Sequence, residues 1–261
     1  MTIIESKLKG EVSEACKILA MQGLLHESVG HVSARVSTNE FEIRCRSIGS
    51  EDGHLFSREE DVRRVTLDGE SVEASDDYVL PIEFSLHAEL YRARPEVGSI
   101  VHAHPLGTLL CGLTGIELLP IRAYTYEPMR IVLDGVASYE SAAMIDRKER
   151  AFALRDAMVG ANVCIMRGHG ITTLGRNVAE ASMRAIYLEK AARANWIIQS
   201  SGRSVVALQP EEEEDVQSEN SPAPTANDVS KHWGEFAWRY YRRLMQESEA
   251  GRVWPPDKFL P

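Results

Sequence analysis

Residues 99–108, SIVHAHPLGT, place two histidines one residue apart at the end of an apolar run. The run predicts a buried β-strand that ends at Pro105. Because side chains alternate faces along a strand, His102 and His104 point to the same side. Two imidazoles on one face at a strand end either share a cation or stand as polar side chains at an exposed edge. The stretch alone leaves both interpretations open.

The composition is that of a globular protein: 44% of the 261 residues are apolar and 26% are charged, enough for a sizeable core. The formal net charge of −10 argues against nucleic acid or an anionic membrane as a partner. The four cysteines lie far apart without a CxxC pair, which favours buried free thiols over a disulfide framework. No apolar run is long enough for a signal peptide or a membrane span. These features predict a soluble, cytoplasmic protein.

Periodicity and composition divide the chain into three parts. Residues 1–209 combine helical spacing with alternating strands and form the main domain. Residues 210–228 are rich in Glu, Ser and Pro and predict a mobile linker or surface loop. Residues 229–261 predict an aromatic C-terminal helix or arm, which packs either on its own domain or on a neighbouring subunit.

Helices and short strands alternate within the main domain. The spacing of apolar residues predicts helices over residues 5–26, 81–95, 140–159 and 177–199. The segments HVSARV and FEIRCRSI predict a hairpin, VRRVTL and NVCIM predict single strands, and RGHGITTLG predicts a glycine-punctuated loop.

A third histidine, His169, follows the predicted strand NVCIM and lies between two glycines. Glycines on both sides let the backbone approach closely and leave the imidazole unobstructed. Together with His102 and His104 it gives three imidazoles at two strand ends, which suits a catalytic divalent metal with open positions. Glu83 opens the helix that precedes the His-x-His strand, where it is a metal ligand, a general acid or base, or an ordinary helix-start carboxylate. His87, four residues later, lines the same pocket or packs between helix and sheet.

The segments GHVSAR, PIE, IVHAHP and GHG occur in this order over about residues 8–205 and resemble the class II aldolase/adducin family. The resemblance implies an α/β fold, a three-layer α/β/α sandwich with a largely antiparallel central sheet. It also implies a homo-oligomer, with a tetramer favoured, whose active sites lie near subunit contacts. His102, His104 and His169 match the family's metal ligands. Glu83 matches its catalytic acid/base, which can also touch the metal.

Departures from the sugar-phosphate aldolases of this family bear on the substrate. His31 replaces an Asn of their first hairpin, and Pro81 and Ile82 replace a Ser-Ser pair before Glu83. The turn GSEDG, residues 49–53, carries acidic side chains that repel phosphate. Most of the expected phosphate cradle is therefore missing.

Basic side chains take its place in the first hairpin. Arg44 and Arg46 alternate on one predicted strand face with Arg35 on its neighbour, and His31 is near in sequence. Arginine forks bind carboxylates and stack on flat rings, although arginines on a hairpin also simply face solvent. With this pattern, and in the segments RCRSIGSEDG and LPIEFSLHAELYRARPEV, the chain resembles the aromatic-acid (3,4-dihydroxyphthalate-type) decarboxylase branch of the family.

The sequence therefore predicts a metal-dependent lyase that uses one divalent ion per chain, Zn, Mn, Fe or Co, to decarboxylate a hydroxylated aromatic or ring-cleavage carboxylic acid. The metal stabilises the enolate or phenolate, and Glu83 or His31 handles the proton. Tyr126 is a further proton donor or a packing residue. The alternatives are an aldolase acting on a non-phosphorylated carboxylated substrate, metal-dependent oxygenase chemistry, and a non-enzymatic adducin-like interaction domain.

Overall fold

The computed structural model describes residues 3–48, 53–73, 77–123, 125–205, 211–212 and 233–249. Its helices are α1 (Ile3–Met21), α2 (Phe84–Ala93), α3 (Leu106–Thr114), α4 (Tyr126–Leu133), α5 (Lys148–Ala157), α6 (Val178–Ser200) and α7 (Trp233–Glu249). Its strands are β1 (His31–Arg35), β2 (Glu40–Arg44), β3 (Arg46–Ser47), β4 (Val62–Thr66), β5 (Tyr78–Val79), β6 (Ser99–Ala103), β7 (Ala137–Tyr139), β8 (Val163–Met166) and β9 (Gly170–Gly175). Within these ranges, no helix combines the length and apolar content needed to cross a bilayer.

Some predicted features lie outside the described residues. The acidic side chains of the turn at 49–53 belong to this group, since only Gly53 is described. The same holds for the linker 210–228, apart from 211–212, and for the two ends of the C-terminal segment, 229–232 and 250–261.

The main sheet has the strand order β4-β2-β1-β6-β9-β8-β7, and β3 pairs with β5 separately. Every neighbouring pair in the main sheet is antiparallel except β7 and β8. The prediction of an α/β fold with a largely antiparallel sheet is confirmed. In the register of β1 and β6, His31 lies directly opposite His102, so two histidines that are distant in sequence meet at one end of the sheet.

Alternation along the strands sends apolar side chains into two clusters. Val32, Val101 and Ile171 belong to a cluster with residues of α1 and α6. Ile100 and Leu174 belong to a second cluster with residues of α2 and α5. Since side chains two residues apart share a face, His102 lies on the same face as Ile100, toward α2.

Two sequence predictions are corrected by the structure. The helix predicted over 140–159 covers only Lys148–Ala157, because the backbone before it makes other bonds: the Ile145 amide donates to the Glu83 side chain. The glycine-punctuated loop predicted from Arg167 to Gly175 is a loop only up to His169. Gly170–Gly175 is strand β9, and its Ile-Thr-Thr segment, residues 171–173, pairs with both β6 and β8.

The described part of the aromatic C-terminal segment, α7, packs on its own chain. Tyr241 and Met245 are 8% and 3% exposed and join the apolar cluster of α1 and α6. The Arg242 guanidinium donates to Glu14 on α1, and Lys190 on α6 donates to the Tyr241 hydroxyl. Of the two interpretations of this segment, the described contacts show packing on the same chain.

Candidate metal centre

Glu83, His102, His104 and His169 form one cluster, and the ligand-type atoms that they offer all lie within 4.8 Å of one another. The Nε2 atoms of His102 and His104 are 2.9 Å apart. One Glu83 oxygen, Oε2, lies 3.1 Å from His102 Nε2, and the other, Oε1, lies 3.2 Å from His169 Nε2. The four residues that the sequence singled out therefore converge on one point.

The ends of β6 and β9 position the three histidines. His102 is buried within β6, and the backbone amide of His104, just beyond that strand, donates to the Leu24 carbonyl. His169 occupies the turn between β8 and β9, and its amide donates to the Met166 carbonyl. A Cβ at Gly170 would lie 2.3 Å from the Ala103 carbonyl oxygen and 2.6 Å from the His104 ring. Glycine is therefore required there for β9 to approach the cluster.

Glu83 is the N-cap residue of α2 and is 7% exposed. Its Oε1 accepts a hydrogen bond of 2.7 Å from the Ile145 amide. Burial alone would raise the pKa of this carboxyl. Where the rings of His102 and His169 are protonated, their hydrogen bonds and charge outweigh burial and lower the pKa of Glu83 below its ordinary value. The helix N-terminus also favours the carboxylate, so Glu83 is an anionic ligand group.

Several features of the donor set fit a divalent cation. His102 Nδ1 lies 3.0 Å from the Ile171 carbonyl oxygen, so Nδ1 carries the proton and the Nε2 lone pair faces the cluster. Burial, followed by the neighbouring rings, lowers the pKa of His104 to about 3, which keeps it a neutral ligand. Three pairs of ligand-type atoms in the cluster are 2.9, 3.1 and 3.2 Å apart and all lie within 4.8 Å of one another, so a single ion could be held by all four residues. Three imidazoles and a carboxylate suit Zn, Fe, Mn or Co.

His31 adjoins this cluster and is linked to three further residues. Its ring stacks on His102 with centroids 5.0 Å apart, and its Nε2 lies 3.9 Å from Glu83 Oε2. On the far side, His31 Nδ1 lies 2.7 Å from His87 Nε2. Ser33 Oγ is 2.7 Å from His87 Nδ1 and 2.8 Å from the Tyr91 hydroxyl. Burial and the surrounding rings lower the pKa of His31, and they lower that of His87 to about 3.

Ser33 and Tyr91 escaped the sequence analysis, although their spacing contained a signal. Ser33 is two residues from His31 on one strand face, and Tyr91 is four residues from His87 on one helix face. The amide of Ile145 carried no such signal, because a backbone group contributes nothing specific to a sequence pattern. Only the tertiary fold brings it to Glu83.

The three predicted substrate arginines lie in three different places. Arg35 donates to the backbone carbonyls of Val97, Tyr91 and Arg94 at the end of α2, so the structure does not bring its guanidinium to the cluster. Arg44 is 2% exposed and acts electrostatically on Cys16 of α1, on the opposite face of the sheet from His31.

Arg46 does not share a strand face with Arg44, because β2 ends at Arg44 and Arg46 begins β3. It is exposed and donates to the Ser28 carbonyl in the loop before His31. Of the three arginines it alone is exposed beside that loop. Its role toward a substrate remains a prediction.

Tyr126 is the first residue of α4 and is 46% exposed. The Arg122 guanidinium lies over its ring, 4.1 Å from the centroid. These contacts neither use the hydroxyl nor join it to the histidine cluster. A proton-donor role for Tyr126 also remains a prediction.

Fold and donor set together define an α/β protein with a candidate divalent-metal centre at one end of a largely antiparallel sheet. The family described as Class II Aldolase and Adducin N-terminal domain matches residues 10–196. The chain belongs to this family.

Two curated relatives resemble the chain over most of its length. The 3,4-dihydroxyphthalate decarboxylase of Rhodococcus jostii (strain RHA1) is 34% identical over 209 residues, which are 78% of this chain and 86% of that protein. The protein of the same name from Arthrobacter keyseri is 33% identical over 201 residues, 76% of this chain and 81% of that protein. The chain therefore resembles the decarboxylase branch of its family.

A solved structure shares the fold. The crystal structure of an aldolase II superfamily protein from Pseudomonas syringae aligns with a TM-score of 0.75 and 21% identity, over 93% of this chain and 95% of that one. At this identity the likeness concerns the fold alone.

Proposed function

We propose that this protein is a divalent-metal-dependent lyase that decarboxylates a hydroxylated aromatic or ring-cleavage carboxylic acid. The observation that carries the proposal is the convergence of Glu83, His102, His104 and His169 on one point. The substrate class is supported by the relatives named 3,4-dihydroxyphthalate decarboxylase.

A divalent cation held by Glu83, His102, His104 and His169 would supply a Lewis acid that stabilises the negative charge left when CO2 departs. The protein's own groups would hold the ligand side chains in place and neutralise that charge with a proton. The Ile145 amide fixes the Glu83 carboxylate, and the Ile171 carbonyl fixes the His102 ring. The carboxylate of Glu83 would take the proton of a substrate hydroxyl and return it to the carbon that loses CO2, or His31 would supply that proton, a role typically worth about 10²–10⁴-fold in rate.

Recognition of the substrate carboxylate is assigned to Arg46 and His31. Arg46 is exposed next to the loop that leads into His31, and its fork suits a carboxylate. His31 itself lies within 3.9 Å of Glu83 and borders the place where a substrate would sit. Tyr126 is retained as a candidate proton donor.

The alternative within the family is an aldolase that cleaves a non-phosphorylated carboxylated substrate, since the same electron sink serves both bond cleavages. The non-enzymatic alternative is an adducin-like interaction domain. The burial of His102 and Glu83 argues against it, because buried polar groups are costly and an interaction surface does not need them.

At the level of the assembly, we propose a cytoplasmic homo-oligomer, with a tetramer favoured, whose sites lie near subunit contacts. In it residues 1–209 are the catalytic domain, 210–228 a linker and 229–261 a C-terminal segment. The support is the family resemblance. Light scattering coupled to size-exclusion chromatography tests the subunit number, and a monomer would contradict it.

The reaction is tested by measuring CO2 release from a panel of hydroxylated aromatic acids that includes 3,4-dihydroxyphthalate, with enzyme loaded separately with Zn, Mn, Fe or Co. Glu83→Gln is the test variant. Glu89→Gln is its control, because Glu89 lies in α2, the helix that Glu83 caps, and accepts a hydrogen bond from Arg92.

CO2 release that Glu83→Gln abolishes and Glu89→Gln retains supports the proposal. Aldehyde release without CO2 from carboxylated aldols would favour the aldolase. A metal-loaded protein that releases neither product would contradict a lyase function.

A further inference from the structure

Tyr91, Ser33, His87 and His31 form a buried hydrogen-bonded chain that ends beside Glu83. The three links measure 2.8, 2.7 and 2.7 Å. Their exposed fractions are 1%, 0%, 0% and 5% in the same order. Solvent is therefore excluded along the whole chain, and the four side chains must satisfy one another.

Such a chain has two directions in which each link donates to the next. A third pattern, in which Ser33 accepts from both Tyr91 and His87, is unfavourable because it leaves the O–H of Ser33, 0% exposed, without an acceptor among the described residues. In the first, the Tyr91 hydroxyl donates to Ser33, Ser33 donates to His87 Nδ1, and His87 Nε2–H donates to His31 Nδ1. His31 then carries its own proton on Nε2, the nitrogen nearer to Glu83. In the second, every bond is reversed, and His31 presents an Nε2 lone pair to the site.

The environment of Tyr91 selects the first direction. Within the described part of the chain, the hydrogen-bond partners of the Tyr91 hydroxyl are Ser33 Oγ and the backbone amide of Ile100, and an amide N–H is a donor that offers the Tyr91 proton no acceptor. Around the ring lie the Phe41 side chain, 5.1 Å away between centroids, and the Arg35 guanidinium, which offers no acceptor. In the reversed chain the Tyr91 O–H would be buried without an acceptor, which is unfavourable. A doubly protonated His31 would donate from Nδ1 and force the same reversal.

We propose that Tyr91, Ser33 and His87 are positioning residues that hold His31 as a neutral Nε2–H tautomer, and that His31 binds an anionic substrate oxygen as a hydrogen-bond donor instead of protonating carbon. The second half rests on the proposed function. Of Glu83 and His31, the two candidates for the proton transfer, the inference excludes His31 and leaves Glu83.

The hydrogen-bonded chain orients His31 and does not conduct protons. If His31 gave its Nε2 proton away, each link would have to shift and Tyr91 would be left as a tyrosinate. Burial raises the pKa of Tyr91 above its ordinary value, and the residue is 1% exposed, so no proton can be replaced from solvent there. Without that transfer, a neutral His31 would become an imidazolate. As a donor to a carboxylate or phenolate oxygen, it keeps its proton and makes a charge-assisted hydrogen bond.

The first test reads the tautomer directly and needs no substrate. Zinc-loaded protein labelled with ¹⁵N-histidine is studied by long-range ¹H–¹⁵N correlation, with His31 assigned from the signals missing in His31→Gln. The wild type is expected to show a protonated Nε2 and an unprotonated Nδ1. A proton on Nδ1, or on both nitrogens, at neutral pH would overturn the proposal.

Ser33→Ala tests whether the hydrogen-bonded chain holds the His31 tautomer. It removes the link that transmits direction from Tyr91 to His87, so His31 is expected to become a mixture of tautomers. Ser13→Ala is the matched control, since Ser13 is a buried serine that donates one hydrogen bond, to the Ser57 carbonyl, in α1. An unchanged His31 signal in folded Ser33→Ala would show that the chain does not hold the tautomer.

The second test distinguishes His31 as a hydrogen-bond donor to the substrate from His31 as the acid that protonates carbon. Gln places an N–H near the position of His Nε2 but cannot transfer a proton, whereas Leu offers neither. We expect His31→Leu to raise KM for 3,4-dihydroxyphthalate by about 10–100-fold, the loss of one hydrogen bond to a charged group, and His31→Gln to recover most of it. If His31 were the acid, both variants would lose kcat equally, which would refute the donor role.

The two proposals fail separately. If no substrate releases CO2, binding of 3,4-dihydroxyphthalate by calorimetry replaces KM in the comparison of Gln with Leu, and the tautomer result stands on its own. A correct tautomer without decarboxylation contradicts only the proposed reaction. Decarboxylation with the opposite tautomer contradicts only this inference.

Discussion

Both ring nitrogens of His102 make contacts, so this residue connects the strand β9 to the other members of the cluster. Nδ1 is tied to the Ile171 carbonyl, and Nε2 lies near both His104 and Glu83. The alternation of side chains along a strand was sufficient to predict that His102 and His104 face the same way. The partner of Nδ1 was not predictable, because it is a backbone carbonyl on β9, 69 residues away.

The predicted substrate arginines show what strand alternation cannot predict. Strand alternation indicates which side chains share a face, but it does not say which groups lie opposite that face. Arg35 does share a face with His31 and Ser33, yet its guanidinium donates to the backbone carbonyls of Tyr91 and Arg94 at the C-terminal end of α2. Helix C-terminal carbonyls attract cations, so a local structural role displaced the predicted binding role.

His54 is 1% exposed and lies near Arg44, and we predict that it makes the folded protein less stable as the pH falls. Burial, followed by the charge of Arg44, lowers the pKa of His54 to about 3 from 6.5. The unfolded chain takes up this proton as pH falls below 6.5, and the folded chain does not. The free energy of unfolding therefore falls by up to about 1.4 kcal/mol per pH unit between these values and is unaffected above 6.5.

Urea unfolding at about pH 7.5 and about pH 5 measures this effect. Removing the titrating group in His54→Leu is expected to reduce the loss of stability across that interval by about 2 kcal/mol. His26→Leu, at an exposed histidine, is the control. Equal losses in His54→Leu and in the wild type would contradict a neutral, buried His54.

Among the elements, β9 determines how closely the histidines can approach, because its residues 171–175 pair with β6. Its first residue, Gly170, lies against the Ala103 carbonyl and the His104 ring. The glycines in the sequence predicted a loop here and, with it, a close approach of the backbone. The strand was not predictable, because a glycine at each end of a short β-branched segment resembles a loop in sequence.

Gly170→Ala is predicted to weaken metal binding by at least about 10-fold, because a Cβ there forces β9 and the His104 ring apart. Gly234→Ala is the control, since nothing lies within 4 Å of a Cβ at that helical position. Metal titration of both apo-proteins by calorimetry makes the comparison. Wild-type affinity in folded Gly170→Ala would show that the close approach is not needed.

At the scale of the whole molecule, the strand order brings together groups that the sequence keeps apart. β1 and β6 are neighbours although about 60 residues separate them, and this adjacency places His31 opposite His102. The family resemblance predicted the largely antiparallel sheet, but strand periodicity alone does not determine the order of strands. The chain from Tyr91 to His31 depends on that order and could not be found without it.

The C-terminal helix α7 is predicted to stabilise the molecule without serving the metal. Met245 is 3% exposed in the cluster of α1 and α6, so Met245→Ala should lower the free energy of unfolding by about 2–5 kcal/mol. Tyr240→Ala, at a residue 59% exposed, should change it by no more than about 0.5 kcal/mol. Thermal unfolding and metal content are measured together. A loss of metal from folded Met245→Ala would contradict the separation of the two roles.

The central claim is that Glu83 and three histidines hold one divalent ion per chain, and metal content tests it most directly. Elemental analysis of protein that has been stripped, reloaded and desalted is compared for the wild type, His102→Ala and His26→Ala, the last at an exposed histidine outside the cluster. We predict close to one ion per chain in the wild type and in His26→Ala, and almost none in His102→Ala. Equal metal content in wild type and folded His102→Ala, or none in any of the three, would contradict the account.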